Sequence, residues 1–413
     1  MRMKIKTLQK GSTLHLLWVL LPLLFFSCQG EETGTETEAG TGTPTTFVEV
    51  TDEKTITFDE MLEHELENYG VAKDDLKDYS FQLNMLRMAA QKCTAHTITY
   101  RTVTPDGRPV TASGVVYYPN SGSIRGVVEV SPLNKSKRTC VSEYVYTCEA
   151  LPSLLGYVCI IPDLIGCGTT SDLPISYMQH DNVARVGADL RKAAEEFIYE
   201  RYHHRLGGES VLFGYSLGGS GAWALARYYA MHPELDVDVR EIYAGGGAYN
   251  PAKAMDAFTA THYSDYAILP NIICSMNYYD NLNINLDDVF RGDLLQNYTE
   301  WCEGTMSVPE LTQILGTDMT TYLNFDFISR DNADYVRLIN NAASKAIPND
   351  WVPAAKVRLY HSAHDTYVPT ACGDELYEYL KGAGVDVTYR KYEGGHVVTG
   401  LYMTIDFVKS IAL

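Results

Sequence analysis

Three short stretches of this chain carry residue types that together can attack a carbonyl carbon. A serine lies between glycines in Gly214-Tyr215-Ser216-Leu217-Gly218, an aspartate ends His361-Ser362-Ala363-His364-Asp365, and a histidine follows two glycines in Glu393-Gly394-Gly395-His396. The G-x-S-x-G spacing suits a nucleophile on a sharp strand-to-helix turn, where flanking glycines let neighbouring backbone pass close to the serine. The helix that starts there turns its first N–H groups toward developing negative charge. Such a five-residue pattern arises by chance in roughly one chain of this length in seven, so it gains meaning only from its setting and its partners.

The setting fits. An apolar run, Val211-Leu212-Phe213, precedes the motif, and Gly218, Gly219, Ser220, Gly221 and Ala222 follow, small enough for a helix to approach a sheet closely. Asp365 follows the apolar run Val357–Tyr360, where a carboxylate can hold an imidazole in one tautomer and stabilise its cation. His396 follows the last apolar run on two glycines, a loop suited to bringing its ring to Ser216. The resulting order is Ser, Asp, His. His361 and His364 are rival bases, but a side chain so near the acid in sequence does not readily turn to accept its hydrogen bond. For an oxyanion, one donor is the backbone N–H of Leu217, directly after the nucleophile. A second is expected from Ser131-Pro132-Leu133-Asn134-Lys135; Pro132 has no N–H, which leaves Leu133, or else Asn134.

The elements that must position these residues are legible around them. Thr97 to Tyr118 holds two β-rich runs about Pro105-Asp106-Gly107, a hairpin signature. Strands follow at Gly126–Val130, Gly156–Ile161, Ser210–Phe213, Glu241–Ala244, Val357–Tyr360 and Val385–Tyr392, with helical periodicity over Asn182–Tyr202 and Gly219–Met231. Strands alternating with helices predict a mostly parallel central sheet covered on both faces. Between Ala244 and Val357 the alternation stops for more than 100 residues. A structureless loop of that length inside a domain is improbable. Candidate helices at Leu286–Asn297, Pro309–Leu315 and Ala333–Ala346 predict an inserted helical cap over residues 250–354, in a core made of 47–249 and 355–413.

The N-terminus sets the compartment. Arg2, Lys4, Lys6 and Lys10 precede the apolar run Leu14–Phe26, which is too short to span a bilayer in the mature protein and reads as a signal peptide over 1–27. Ser27-Cys28 predicts a bacterial lipoprotein signal with lipidation at Cys28, although Phe25 stands where leucine is usual. Residues 28–46 are almost all Glu, Gly and Thr and predict a flexible tether. Its acidic start resembles the signal that sends some bacterial lipoproteins to the cell surface. An exported protein on the outer membrane or cell surface is therefore expected, held to the membrane only by its lipid.

Formal net charge is −19, a poor basis for binding nucleic acid or an anionic membrane surface. Of nine cysteines, eight remain beyond Cys28 and allow 105 pairings. None shows C-x-x-C spacing, and neither a metal nor an organic cofactor is expected.

At these residues the sequence resembles the secretory lipase family, α/β-hydrolases that include yeast lipase A-type enzymes. The likeness runs from TYRTVTPDGRPVTASGVVYYP through GYVCIIPDLIGCGTTSDLP and VLFGYSLGGSGAWALARYYA to LYHSAHDTYVPT and YEGGHV. It implies an α/β-hydrolase fold with a helical lid, Ser216, Asp365 and His396 as a catalytic triad, and a small-molecule or lipid ester as substrate. Two departures stand out. The family's elbow commonly has Gln where Leu217 stands, and its acidic oxyanion-loop motif is not recognisable around Ser131–Lys135. Short-acyl or acetyl esters are the expected preference, since a cap rich in Asp, Asn and Tyr suits a greasy interface poorly. The rival functions are a serine peptidase of the same fold and a non-catalytic binding protein on that scaffold.

Overall fold

The continuous apolar runs become buried parallel strands, as expected where both faces of a sheet are covered. In the computed structural model, which describes residues 45–68, 80–133, 135–347 and 351–412, nine strands form one sheet. They are β1 (Phe47–Ile56), β2 (Cys93–Val103), β3 (Pro109–Pro119), β4 (Gly126–Ser131), β5 (Tyr157–Pro162), β6 (Glu209–Tyr215), β7 (Asp238–Gly245), β8 (Lys356–Ser362) and β9 (Val387–Tyr392). Their order across the sheet is β1-β2-β3-β5-β4-β6-β7-β8-β9. The β1–β2, β2–β3 and β3–β5 pairs are antiparallel, and every pair from β5 through β4 to β9 is parallel. The hairpin turns at Gly107 (φ +83°), whose N–H reaches the Thr104 carbonyl at 2.9 Å.

The signal segment, Cys28 and nearly all of the tether lie outside the described residues. The tether's last residue does not: Thr46 is buried and its carbonyl accepts the Arg101 N–H at 2.9 Å. Residues 47–92, to which the sequence assigned no element, supply the edge strand β1 and two helices, α1 (Phe58–Asn68) and α2 (Ser80–Ala89). β1 is exposed along most of its length, so it carries no strong apolar alternation for the eye to find.

Helices α3 (His180–Tyr202) and α4 (Leu217–Met231) pack against each other on one face of the sheet; α11 (His396–Ala412) covers the other. Strand alternation divides β6 between them. Leu212 faces the first core, with Trp223 and Leu225 of α4, whereas Phe213 and Tyr215 face Phe407 and Met403 of α11. The Phe213 and Phe407 rings stack at 4.6 Å. α10 (Thr370–Gly382) closes the first face beside β8 and β9.

Between β7 and β8 the described residues hold five α-helices: α5 (Pro251–Thr259), α6 (Leu269–Tyr279), α7 (Gly292–Trp301), α8 (Val308–Leu315) and α9 (Ala333–Ser344). Their apolar faces join Trp223 and Leu225 in one continuous cluster. α8 opens with a reciprocal Ser307–Glu310 capping box. The single helix expected over Leu286–Asn297 is instead a short 3-10 turn, Leu286–Asp288, followed by α7. Gly292 explains the break: at φ +55° it lies where a Cβ would meet the Thr321 carbonyl oxygen at 2.7 Å.

Candidate active site

Ser216 directly follows β6 and caps α4 with φ +57° and ψ −124°. A non-glycine residue there stores roughly 1–3 kcal/mol of strain, which the surrounding backbone must hold. It does so from two sides. The Ser216 N–H donates to the Gly245 carbonyl at the end of β7 (2.8 Å), and the Ser216 carbonyl accepts the Gly219 N–H (2.9 Å). The glycines of the motif follow from close approach. A Cβ on Gly214 would fall 1.9 Å from the Gly218 oxygen, and one on Gly218 would fall 2.1 Å from the Ser131 oxygen.

The three separated residues meet in a hydrogen-bonded line. The Ser216 Oγ and His396 Nε2 are 2.8 Å apart, and His396 Nδ1 and Asp365 Oδ2 are 2.7 Å apart. With a carboxylate at Nδ1, that nitrogen carries the proton and Nε2 offers its lone pair to the serine hydroxyl. Asp365 follows β8. Its Oδ1 accepts the N–H groups of Tyr367 and Val368, each at 2.9 Å, and its side chain is fully buried. Burial acts to raise its carboxyl, but the hydrogen bond and charge of His396, with the Val368 N–H and His361, outweigh it. The net result lies below the usual aspartate value.

His396 is the first residue of α11, so the glycine loop before it ends on a helix. The Ser362 hydroxyl donates to the Gly394 carbonyl at 2.5 Å, and the Tyr215 hydroxyl donates to the His396 carbonyl at 2.5 Å. Tyr215, the residue before Ser216, thus ties His396 to the strand-to-helix turn. Gly246 (φ +57°) lies where a Cβ would come within 3.0 Å of His396 Cε1.

The opposite side of the serine is built differently. Leu217 is the first residue of α4, and its N–H is among those an α-helix leaves without an intrahelical partner. Leu133, the expected second donor, requires correction. Its N–H is donated to Glu149 Oε1 at 2.9 Å, because the buried carboxylate draws the loop after β4 inward. Glu149 also accepts from the Thr147 hydroxyl at 3.1 Å and faces Lys135 Nζ at 3.5 Å. Asn134 lies outside the described residues.

His361, a rival base, lies against Asp365 and makes no hydrogen bond to Ser216. Its buried ring places Nε2 at 3.1 Å from the Val368 carbonyl and 3.4 Å from Asp365 Oδ2. His364 is exposed and faces Glu393 at 3.1 Å. Tyr367 lies against the His396 ring, with centroids 5.2 Å apart, and stacks on Tyr266 of the insertion at 4.4 Å. A cavity of about 360 Å³ opens beside it, between Phe258, Tyr263 and Asp265 of the insertion and the 365–369 loop. Among the described residues, no cluster of three His, Cys, Asp or Glu side chains is arranged to hold a metal ion. None of their helices is long and apolar enough to cross a membrane.

The parallel sheet, its antiparallel start and the strained serine between β6 and α4 make this an α/β-hydrolase fold. No protein-family model and no curated protein matches the chain. Solved structures do. A Legionella pneumophila protein with a provisional hydrolase assignment superposes with a TM-score of 0.72 at 20% identity, over 88% of this chain and 98% of its own. The rice cell wall degrading esterase LipA from Xanthomonas oryzae gives 0.68 at 18% identity, over 89% and 95%. Candida antarctica lipase A gives 0.56 at 13%, over 78% of each chain. At these identities the likeness is one of fold.

Proposed function

We propose that the chain is a serine ester hydrolase of the carboxylesterase and lipase class. One observation carries this reading: a serine hydroxyl held at a strained turn, 2.8 Å from an imidazole whose other nitrogen is 2.7 Å from a buried carboxylate. His396 takes the Ser216 proton as the hydroxyl attacks the ester carbonyl. The negative charge that forms on the carbonyl oxygen meets the Leu217 N–H at the start of α4. Asp365 stabilises the imidazolium without taking its proton. His396 then protonates the departing alcohol, and a water activated by the same ring releases the acid from the acyl-enzyme. The esterase and lipase activities of the structural neighbours favour ester over amide substrates.

Residues 250–354 act as a cap in this reading, since Tyr266 of the insertion stacks on Tyr367 and Tyr367 packs on His396. Short-acyl or acetyl esters are the proposed substrates. The leader is proposed to direct export and lipidation at Cys28, and fatty-acid incorporation that persists in Cys28→Ala would refute the anchor.

A fluorophosphonate probe tests the central claim. It should label the protein and fail to label Ser216→Ala, whose kcat on soluble acetate esters should fall about 10⁴–10⁶-fold. Equal turnover by Ser216→Ala would end the serine mechanism. Faster cleavage of peptidyl amides than of esters would convert the enzyme into a peptidase, and faster turnover of tributyrin emulsions would reverse the acyl preference.

A further inference from the structure

The acid of the site is served by two imidazoles, and the mechanism uses one. Asp365 Oδ2 lies 2.7 Å from His396 Nδ1 and 3.4 Å from His361 Nε2. The two histidines come from opposite ends of the sequence between β8 and α11. His361 is the sixth residue of β8, and its ring is fully buried. Its Nε2 is also 3.1 Å from the Val368 carbonyl. A carbonyl only accepts, so Nε2 carries the proton. That single N–H is shared between Val368 and the carboxylate, with the shorter arm on Val368.

The other nitrogen, Nδ1, is buried with no hydrogen-bond partner. Gly373 of α10 packs so close that a Cβ there would fall 2.7 Å from Nδ1. A second proton would have no acceptor on that side. The ring is therefore locked neutral in one tautomer, with its N–H aimed at the acid's loop. Around it stand Asp365 from the loop after β8, His396 at the start of α11, Asp374 of α10, and Tyr389 of β9, whose hydroxyl donates to Asp374 at 2.8 Å. Burial keeps the ring below the ordinary histidine value.

The remaining bonds of the acid loop depend on this anchor. Val368 donates its N–H to Asp365 Oδ1 and its carbonyl accepts from His361, so the peptide units on both sides of this one residue are held. We propose that His361 is a positioning residue for the acid, fixing Val368 and the outer lobe of Asp365 Oδ2 so that His396 alone receives the carboxylate's short hydrogen bond. It touches no reacting atom. Its effect passes through Asp365 to the base. This inference rests on the serine-hydrolase reading and extends it by one residue.

The experiment compares His361→Leu, His361→Gln and Ser216→Ala with the parent enzyme on one soluble acetate ester, from pH 5 to 9, below the melting temperature of each. His361→Leu should lose about 10²-fold in kcat with KM nearly unchanged, the cost of a misplaced catalytic group. Removing the positive end of an N–H dipole from beside the Asp365–His396 pair favours the imidazolium. The acid limb of kcat/KM should therefore move to higher pH in His361→Leu. His361→Gln keeps a donor near the same reach and should recover most of kcat and the parent's acid limb.

A His361→Leu enzyme with the parent's kcat and pH profile overturns the proposal. So do equal losses in Leu and Gln variants with an unmoved acid limb, since that pattern belongs to packing alone. Should His361→Leu fail to fold, His361→Asn, whose amide stops short of both acceptors, is read by the same two criteria. An active His361→Leu beside an inactive Ser216→Ala sinks this inference alone. An active Ser216→Ala sinks the reading beneath it.

Discussion

The two sides of Ser216 are built by different means. On one side, Ser216, Asp365 and His396 hang from the ends of β6 and β8 and the start of α11, and hydrogen bonds made by their own or neighbouring backbone hold them. Ser216 is fixed by Gly245 and Gly219, Asp365 by two N–H groups, and His396 by a hydroxyl on its carbonyl. On the other side, the loop after β4 is drawn into place by the Glu149 carboxylate, 16 residues further along the chain. A position fixed by backbone geometry demands particular residue types, glycines above all. A position fixed by one distant carboxylate demands almost nothing of its neighbours.

The largest test of this contrast falls on the backbone-held side. Asp365→Asn keeps the shape of the side chain while offering His396 the wrong tautomer, and kcat should drop about 10⁴-fold. A drop of less than tenfold, measured on the same ester, would mean that the carboxylate is not what orients the ring.

Next comes the point where the two sides touch. Gly218 lies where a Cβ would fall 2.1 Å from the Ser131 carbonyl oxygen and 2.9 Å from that of Pro132. Gly218→Ala must displace either the elbow or the loop after β4. We expect about 10²–10³ off kcat, the scale of losing one oxyanion donor, with fluorophosphonate labelling slowed in step. Unchanged labelling would show the loop after β4 to be pliable.

That same contrast explains what could be read from the chain. Ser216 and His396 stand in short patterns with glycines set by close approach, at Gly214, Gly218 and Gly394, and Asp365 follows the apolar strand Val357–Tyr360. The parallel strands were visible because burial on both faces makes them uniformly apolar, as in Val127-Val128 and Tyr157-Val158-Cys159-Ile160-Ile161. β1 escaped notice because its side chains face solvent, and α5 and α6 because their apolar residues merge with those of the connecting loops. Leu133 follows by elimination around Pro132, and nothing local shows that Glu149 takes its N–H. His361 carried a visible signal, a histidine four residues before the acid, but sequence spacing could not say which way its ring turned.

On the carboxylate-held side the expected effects are smaller. Glu149→Leu leaves the Leu133 N–H without its acceptor and frees the loop, which should cost ~1–3 kcal/mol of stability and about tenfold in kcat. Urea melts and acetate hydrolysis read the two separately. Full activity with lowered stability would mean that the loop's position does not matter to the chemistry.

The smallest effect concerns how the insertion is joined to the sheet, and it is written in pH. His180 opens α3, and its Nδ1 donates to the Lys345 carbonyl at the end of α9, at 2.9 Å. Its Nε2 is buried without a partner, and burial pushes its pKa down to about 4, with the Lys345 carbonyl and Asp181 opposing and Lys345's charge adding to the drop. Beside it, Lys345 Nζ donates to Asp280 Oδ1 at 2.5 Å and to Gln179 Oε1 at 2.8 Å, so the same junction is bridged twice. An unfolded chain protonates this histidine near its ordinary value of about 6.5, whereas the folded chain resists down to about 4. Between those values the unfolded state binds more protons, so the stability that His180 contributes is full above the upper one and is lost as pH falls to the lower. The melting temperature should decline through that window, and His180→Gln should decline less steeply, with the buried His361 retaining part of the slope. Parallel slopes in parent and variant would place the acid sensitivity elsewhere. A flatter slope in the variant, with kcat at neutral pH unchanged, would show that the junction and the hydrogen-bonded line at Ser216 are held independently.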